Sequence, residues 1–212
     1  MEKPKLQLAL DLFQNMGQAK QCLEDVADVV DIIEIGTPLI IREGIKAVTE
    51  VKTLYPDLQV LADLKIVDAG SLEAQIAFDA GADIVTVLGV AHNVTIQSAL
   101  GQAQKYGRQV MVDLITIDDV QSRVQELEEM GVDIICVHTA SDVQEQGSDP
   151  LKDLQLVQRV KKAVKIAVAG GIKPATLPKI LPYSPNVIIV GSFITNNQNY
   201  RHAALEIHQL LQ

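Results

Sequence analysis

Basic residues are few relative to acidic ones, and aromatic residues are fewer still. Lys and Arg number 18 against 27 Asp and Glu, a formal net charge of −9. A chain this acidic has no overall attraction for nucleic acid or anionic lipid, so an anionic substrate must be held by local groups against the global field. Aromatics make up only 3% and Trp is absent, which excludes base stacking as a main recognition device and leaves an aliphatic core. Cys22 and Cys136 are far apart, with no Cys-x-x-Cys or Cys/His spacing for structural zinc. No apolar run approaches the ~18 residues of a membrane span. The start, MEKPKLQLALD, lacks a signal-peptide core. Together these absences predict a soluble, cytoplasmic, reduced protein that binds neither nucleic acid nor membrane. No Ser/Gly-rich linker, charge block or low-complexity tract divides the 212 residues, so one domain over 1–212 is expected.

What the chain does contain is one alternation carried from end to end. Short β-branched apolar runs fall at 6–11, 30–36, 59–66, 83–89, 109–116, 133–139, 165–171 and 186–192. Between them lie amphipathic stretches at 16–28, 43–54, 71–80, 94–106, 118–130 and 151–163, and a last one near 199–211. Gly81, Gly107 and Gly131 each stand between a helical stretch and the next strand, where a helix C-cap accepts a left-handed residue. Pro56 and Pro182 occupy similar connections. Strand and helix alternating eight times is the pattern of parallel βαβ units. An open doubly wound sheet would carry a Gly-rich phosphate turn after its first strand, and LDLFQNMG holds no such turn. The pattern therefore predicts a single α/β domain, a closed (β/α)8 TIM barrel.

Side chains alternate faces along a strand. By that period Asp11, Glu34, Asp63, Lys65, Asp113 and His138 all point into the barrel, and each sits late in its strand, toward the C-terminal mouth where barrel active sites form. Burying an unpaired carboxylate costs several kcal/mol, so Glu34 within IIEIG calls for a functional reason. Asp11 reads equally as a strand end or a helix cap, His138 as a structural histidine, and Asp113 as a partner for Lys65. Asp83 and Asp133 open their strands at the far end and read as stability or turn residues. His92 and His202 read as surface residues, Cys136 as a small inward filler and Cys22 as a helix residue. Asp63-x-Lys65-x-x-Asp68 is the sharpest motif. Carboxylates hold the ammonium protonated, ready to stabilise an oxyanion or deliver a proton. Asp68 lies in the loop beyond, facing either the site or a neighbouring subunit. Glu34 and Asp63 on adjacent strands offer oxygen ligands to a hard divalent ion such as Mg2+. Ala169-Gly170-Gly171 after strand 7 and Gly191-Ser192 after strand 8 stand where barrels expose backbone N–H groups to phosphate.

LALD at 8–11, DIIEIGTPLI at 31–40, LADLKIVDAG at 61–70, GADIVTVLG at 81–89, VDLI at 112–115, VHT at 137–139 and VAGG at 168–171 resemble the 3-hexulose-6-phosphate synthase family. That family lies within the orotidine-5′-monophosphate decarboxylase superfamily. The resemblance covers nearly the whole chain. It implies an aldehyde-lyase: a reversible, Mg2+-dependent aldol condensation of ribulose 5-phosphate with formaldehyde to a 3-hexulose 6-phosphate. It further implies a homodimeric barrel with active sites at the subunit interface. Glu34 and Asp63 would be metal ligands, Lys65 would steady the enediolate, Asp68 would reach the partner's site and His138 would be the acid/base. Gly170, Gly171, Gly191 and Ser192 would cradle the phosphate, with Asp11, Asp113 and Ala169 also contacting substrate.

The nearest alternative is the sibling 3-keto-L-gulonate-6-phosphate decarboxylase, which resembles this chain with Glu at 113, Arg at 141 and Thr at 169. Here those positions hold Asp113, Ser141 and Ala169, and Ser192 stands where the decarboxylase tends to place an Arg. Orotidine-5′-monophosphate decarboxylase itself would need a second Lys in an alternating Lys-Asp array. A ribulose-phosphate epimerase would need paired rim histidines. A non-catalytic sugar-phosphate-binding barrel would have no use for an acid/base His beside paired carboxylates.

Overall fold

A strand that is apolar on both faces must be covered on both faces, and Ile32–Ile35 is wholly buried, its Glu34 included. The computed structural model describes residues 3–144 and 147–212. Its strands are β1 (Lys5–Ala9), β2 (Ile32–Ile35), β3 (Gln59–Ile66), β4 (Ile84–Leu88), β5 (Gln109–Asp113), β6 (Ile134–His138), β7 (Lys165–Ala169) and β8 (Val187–Val190). They pair in parallel in chain order, and β8 closes on β1. This is the closed (β/α)8 barrel the alternation predicts. The strands end earlier than the apolar runs do, so Asp11, Gly170, Gly171, Gly191 and Ser192 lie just past the sheet, on the loops of the mouth.

The long helices follow the periodic stretches: α1 (Met16–Val26), α3 (Lys46–Leu54), α4 (Gly70–Asp79), α5 (Asn93–Tyr106), α6 (Val120–Glu129), α8 (Leu151–Val160) and α11 (Tyr200–Leu210). Asn15, Asp119 and Asn199 cap α1, α6 and α11 by accepting the backbone N–H three residues on. Gly107 takes φ 63° at the end of α5, the left-handed residue expected there. Short elements escape the periodicity: α2 (Thr37–Glu43), α7 (Ser141–Gln144), α9 (Leu177–Ile180), α10 (Ser192–Thr195) and a 3-10 turn over Leu181–Tyr183. Such short pieces span at most about two turns, too few to show a face. Pro182 lies inside that 3-10 turn, not in the connection to β8.

Two cores result. The larger lies between strands and helices, and the smaller fills the barrel with Ala9, Ile32, Leu61, Ile84, Met111, Ile134, Cys136, Ala167, Ala169, Val187 and Ile189. Inward residues fall in tiers drawn from alternate strands. Ile32, Ile84, Ile134 and Val187 form one tier, and Gln7, Leu61, Met111 and Ala167 form the next. Both cysteines are buried and free. Burial pushes the Cys22 thiol up to about 12 and the Cys136 thiol well above its ordinary value, so both serve as small apolar side chains. His92 and His202 are exposed. Among the described residues, no helix is long and apolar enough to cross a membrane.

At the closed end, a single device recurs four times. Asp31, Asp83, Asp133 and Asn186 stand immediately before β2, β4, β6 and β8. Their side chains accept the backbone N–H of Leu6 (2.8 Å), Val60 (2.8 Å), Val110 (2.9 Å) and Ile166 (2.8 Å), the second residue of each preceding strand. Asp83 also pairs with Lys52 and Arg108. The stability role read for Asp83 and Asp133 thus has a mechanism: these side chains lock neighbouring strands in register. Asp133→Ala is expected to cost about 1–3 kcal/mol in urea unfolding. Because Asp133 is remote from the mouth, kcat should stay near that of the unaltered protein.

Candidate active site

At the C-terminal mouth, the loops and strand ends enclose a cavity of about 380 Å³. Its lining includes Asp11, Glu34, Asp63, Lys65, Asp113 and His138, together with Ala169, Gly170, Gly171, Gly191 and Ser192. The period-two reading therefore gathers correctly. Asp11 is not the cap of α1, a place Asn15 takes. The exception is Asp68. It lies outside this cavity, exposed, in an open cleft with Ala69, Gly70, Ser71, Leu72, Val94, Thr95 and Ser98.

The centre of the site is Asp63. Its Oδ2 pairs with Lys65 Nζ and lies 2.8 Å from Thr37 Oγ1, while its Oδ1 accepts Thr86 Oγ1–H at 2.7 Å. The Thr37 hydroxyl also lies 2.7 Å from the Asp63 carbonyl, and its one proton serves one acceptor at a time. Burial alone would raise the Asp63 carboxyl. The Lys65 charge and the Lys65, Thr86 and Thr37 hydrogen bonds outweigh it, and the group stays below the usual range. Burial would likewise lower Lys65, but Asp63, Asp113 and Glu34 outweigh it and hold the ammonium firmly protonated.

Lys65 owes its aim to a backbone irregularity. The β3–β4 register shifts between Ala62 and Ile66, and Lys65 sits at φ 49°, in the left-handed region. For a long side chain that conformation is unfavourable by roughly 1–2 kcal/mol. Thr86 Oγ1 accepts the Lys65 backbone N–H at 2.9 Å and so anchors the bulge while donating to Asp63. Lys65 Nζ also lies 4.0 Å from Asp113 Oδ2. Asp113 is therefore both a partner for Lys65, as one reading held, and a partner for the histidine: its Oδ2 lies 2.7 Å from His138 Nδ1, and its Oδ1 accepts the Ile115 N–H at 2.9 Å. Held through Nδ1, the ring leaves Nε2 for other contacts.

Asp11, Glu34 and Asp63 place one oxygen each within 4.8 Å of one another. Burial pushes Glu34 well above the usual carboxylate range, and the charges of Asp63 and Asp11 push the same way. Asp11 is raised too, by burial first and then by Asp63. Lys65 alone cannot balance the cavity's four carboxylates. An oxygen-only cluster with surplus negative charge suits a hard divalent cation, and no sulfur or imidazole competes within it. Asp11 is thus an additional candidate at the cation position. Gly36 makes room for it, since a Cβ there would lie 1.9 Å from Asp11 Oδ1. Across the mouth, Gly170 has φ 102° and Gly171 φ 65°. A Cβ on Gly170 would meet the Thr139 carbonyl at 2.6 Å, so only glycine brings that backbone against the cavity.

Sequence reasoning missed Gln7, Thr37 and Thr86. Gln7 and Thr86 share inward parity with Ala9 and Ile84, a signal that was available, but neutral side chains draw no notice beside charges. Thr37 follows β2 in a turn where no period applies. Thr86→Val removes the anchor of the bulge and a donor to buried Asp63. The change should cost about 1–3 kcal/mol in urea unfolding and lower kcat by displacing Lys65.

Comparison with known proteins agrees with this geometry. The family model described as Orotidine 5'-phosphate decarboxylase / HUMPS family matches residues 4–207. A 3-hexulose-6-phosphate synthase from Bacillus subtilis (strain 168) is 44% identical over 207 residues, covering 98% of each chain. The crystal structure of 3-hexulose-6-phosphate synthase from Salmonella typhimurium superposes with a TM-score of 0.95 at 47% identity, covering 98% of both chains. That of KGPDC from Streptococcus mutans, in complex with a pentose 5-phosphate, gives 0.90 at 26% identity, over 98% of this chain and 97% of that one. A family match spanning nearly every residue, on a barrel whose mouth gathers the expected side chains, makes this chain a member of the orotidine 5'-phosphate decarboxylase / HUMPS family.

Proposed function

We propose that the chain is a 3-hexulose-6-phosphate synthase that joins ribulose 5-phosphate and formaldehyde reversibly into a 3-hexulose 6-phosphate. One observation carries this reading: the carboxylate cluster, the Lys65 ammonium and the Asp113–His138 pair meet in one cavity, with the glycine backbone of Gly170 and Gly171 across its mouth. The synthase names of relatives at 44% and 47% identity support it. So does the pentose 5-phosphate held by a more distant relative on the same fold. The decarboxylase alternative rests on relatives at 25% and 26% identity, and Asp113, Ser141 and Ala169 depart from its pattern.

Glu34 and Asp63, with Asp11 beside them, would hold Mg2+, which when bound supplies positive charge to adjacent substrate oxygens. The protein's own residues do the rest. The N–H groups around Gly170, Gly171 and Gly191, with the Ser192 hydroxyl, take the phosphate, a handle that fixes orientation away from the reacting carbon. Loss of the C1 proton of the pentulose leaves an enediolate. Lys65, held charged by Asp63 and Asp113, stabilises its oxyanion. C1 then attacks the formaldehyde carbon, and the aldehyde oxygen takes a proton as the new carbon–carbon bond forms. His138, fixed through Nδ1 by Asp113, presents Nε2 for the proton transfers.

In this reading the protein works as a homodimer in which Asp68 completes the partner's site. Asp68 stands outside its own cavity, and Val67, Leu72 and Val94 around it are 54%, 61% and 70% exposed, an apolar surface suited to a second copy.

Two measurements test these roles. Formaldehyde-dependent consumption of ribulose 5-phosphate should vanish in excess chelator, return with Mg2+, and fall by at least about a hundredfold in Lys65→Met. Turnover that survives chelation removes the metal role, and near-normal kcat in Lys65→Met removes the lysine. Co-expressed Lys65→Ala and Asp68→Ala subunits, each inactive alone, should recover roughly a quarter of the unaltered activity through hybrid dimers. No recovery excludes a shared site.

A further inference from the structure

Glu34 stands in the carboxylate cluster, but its hydrogen-bond partner comes from the tier beneath. Gln7 is fully buried, and its Nε2 donates to Glu34 Oε2 at 2.6 Å. The other end of the same amide, Gln7 Oε1, is the buried side-chain polar atom without a partner among the described residues. Gln7 shares its tier with Leu61, Met111 and Ala167, where an aliphatic side chain would fill the same space with nothing left unpaired. Packing does not account for this amide, and the bond to Glu34 does. An ionised carboxylate only accepts, so the amide must turn its Nε2 toward Glu34 and leave Oε1 stranded. A neutral donor also suits the position. A Lys or Arg would fix Glu34 equally well, but it would cancel charge that the cluster needs to attract a cation.

We propose that Gln7 is a positioning residue, which holds the Glu34 carboxylate turned toward Asp11 and Asp63 so that the cluster is preorganised for a divalent cation. The inference rests on the cation role proposed above for Glu34. Its test uses Mn2+ alone as the probe. Metal-free unaltered protein, Gln7→Leu and Gln7→Met are titrated with Mn2+, the free ion is followed by electron paramagnetic resonance, and the melting temperature of each metal-free protein is recorded. Loss of the Gln7 donor should weaken Mn2+ binding about 10- to 100-fold. The metal-free melting temperature should hold or rise, because the unpaired amide oxygen is gone. Equal affinity in variant and unaltered protein overturns the inference and leaves the cation site standing. A weakened affinity that comes with a matching drop in melting temperature also overturns it, in favour of a structural role. No Mn2+ uptake by the unaltered protein overturns the cation site and this inference with it. Gln7→Met keeps the length of the side chain and carries the comparison if the leucine variant does not fold.

Discussion

The mouth of the barrel is organised by the cost of placing four carboxylates at the top of an aliphatic interior. Asp11, Glu34, Asp63 and Asp113 cannot all be ionised there unless something answers their charge. Lys65 answers for Asp63 most directly, through an ion pair and a protonated state that three carboxylates sustain. Asp113 is shared between Lys65 and His138. Glu34 and Asp11 are left with charge that no protein cation meets, and their raised titration records the deficit. The site is therefore incomplete as a set of side chains, and the same imbalance makes it suited to a divalent ion.

That arrangement depends on backbone features away from the charges. The bulge in β3 turns Lys65 into the cavity at the expense of a left-handed conformation, and Thr86 on the neighbouring strand ties the bulge to Asp63. Gly36 leaves space for Asp11, and Gly170 lets the β7 loop lie against Thr139. At the opposite end, the fourfold pairing of Asp31, Asp83, Asp133 and Asn186 with the preceding strands holds the register from which these positions follow. Stability is concentrated at one end of the barrel and chemistry at the other, the division of labour expected of this architecture.

Much of this was legible in the residues themselves. Eight β-branched runs alternating with amphipathic stretches determined the barrel, because parallel strands must be covered on both faces and two periods suffice to tell strand from helix. The same period of two determined that Glu34, Asp63, Lys65, Asp113 and His138 face inward, since parity along a strand is a local property. Tertiary structure alone decided which of them meet. Asp113 could have belonged to Lys65 or to His138, and it contacts both. Asp68, close to Lys65 in the chain, stands outside the cavity because the chain leaves the barrel after Ile66. Gln7, Thr37 and Thr86 gained their roles only through partners 21 to 27 positions away. Local sequence sets the face a side chain takes. Distances between strands, and hence hydrogen bonds and compensated charge, exist only once the sheet has closed.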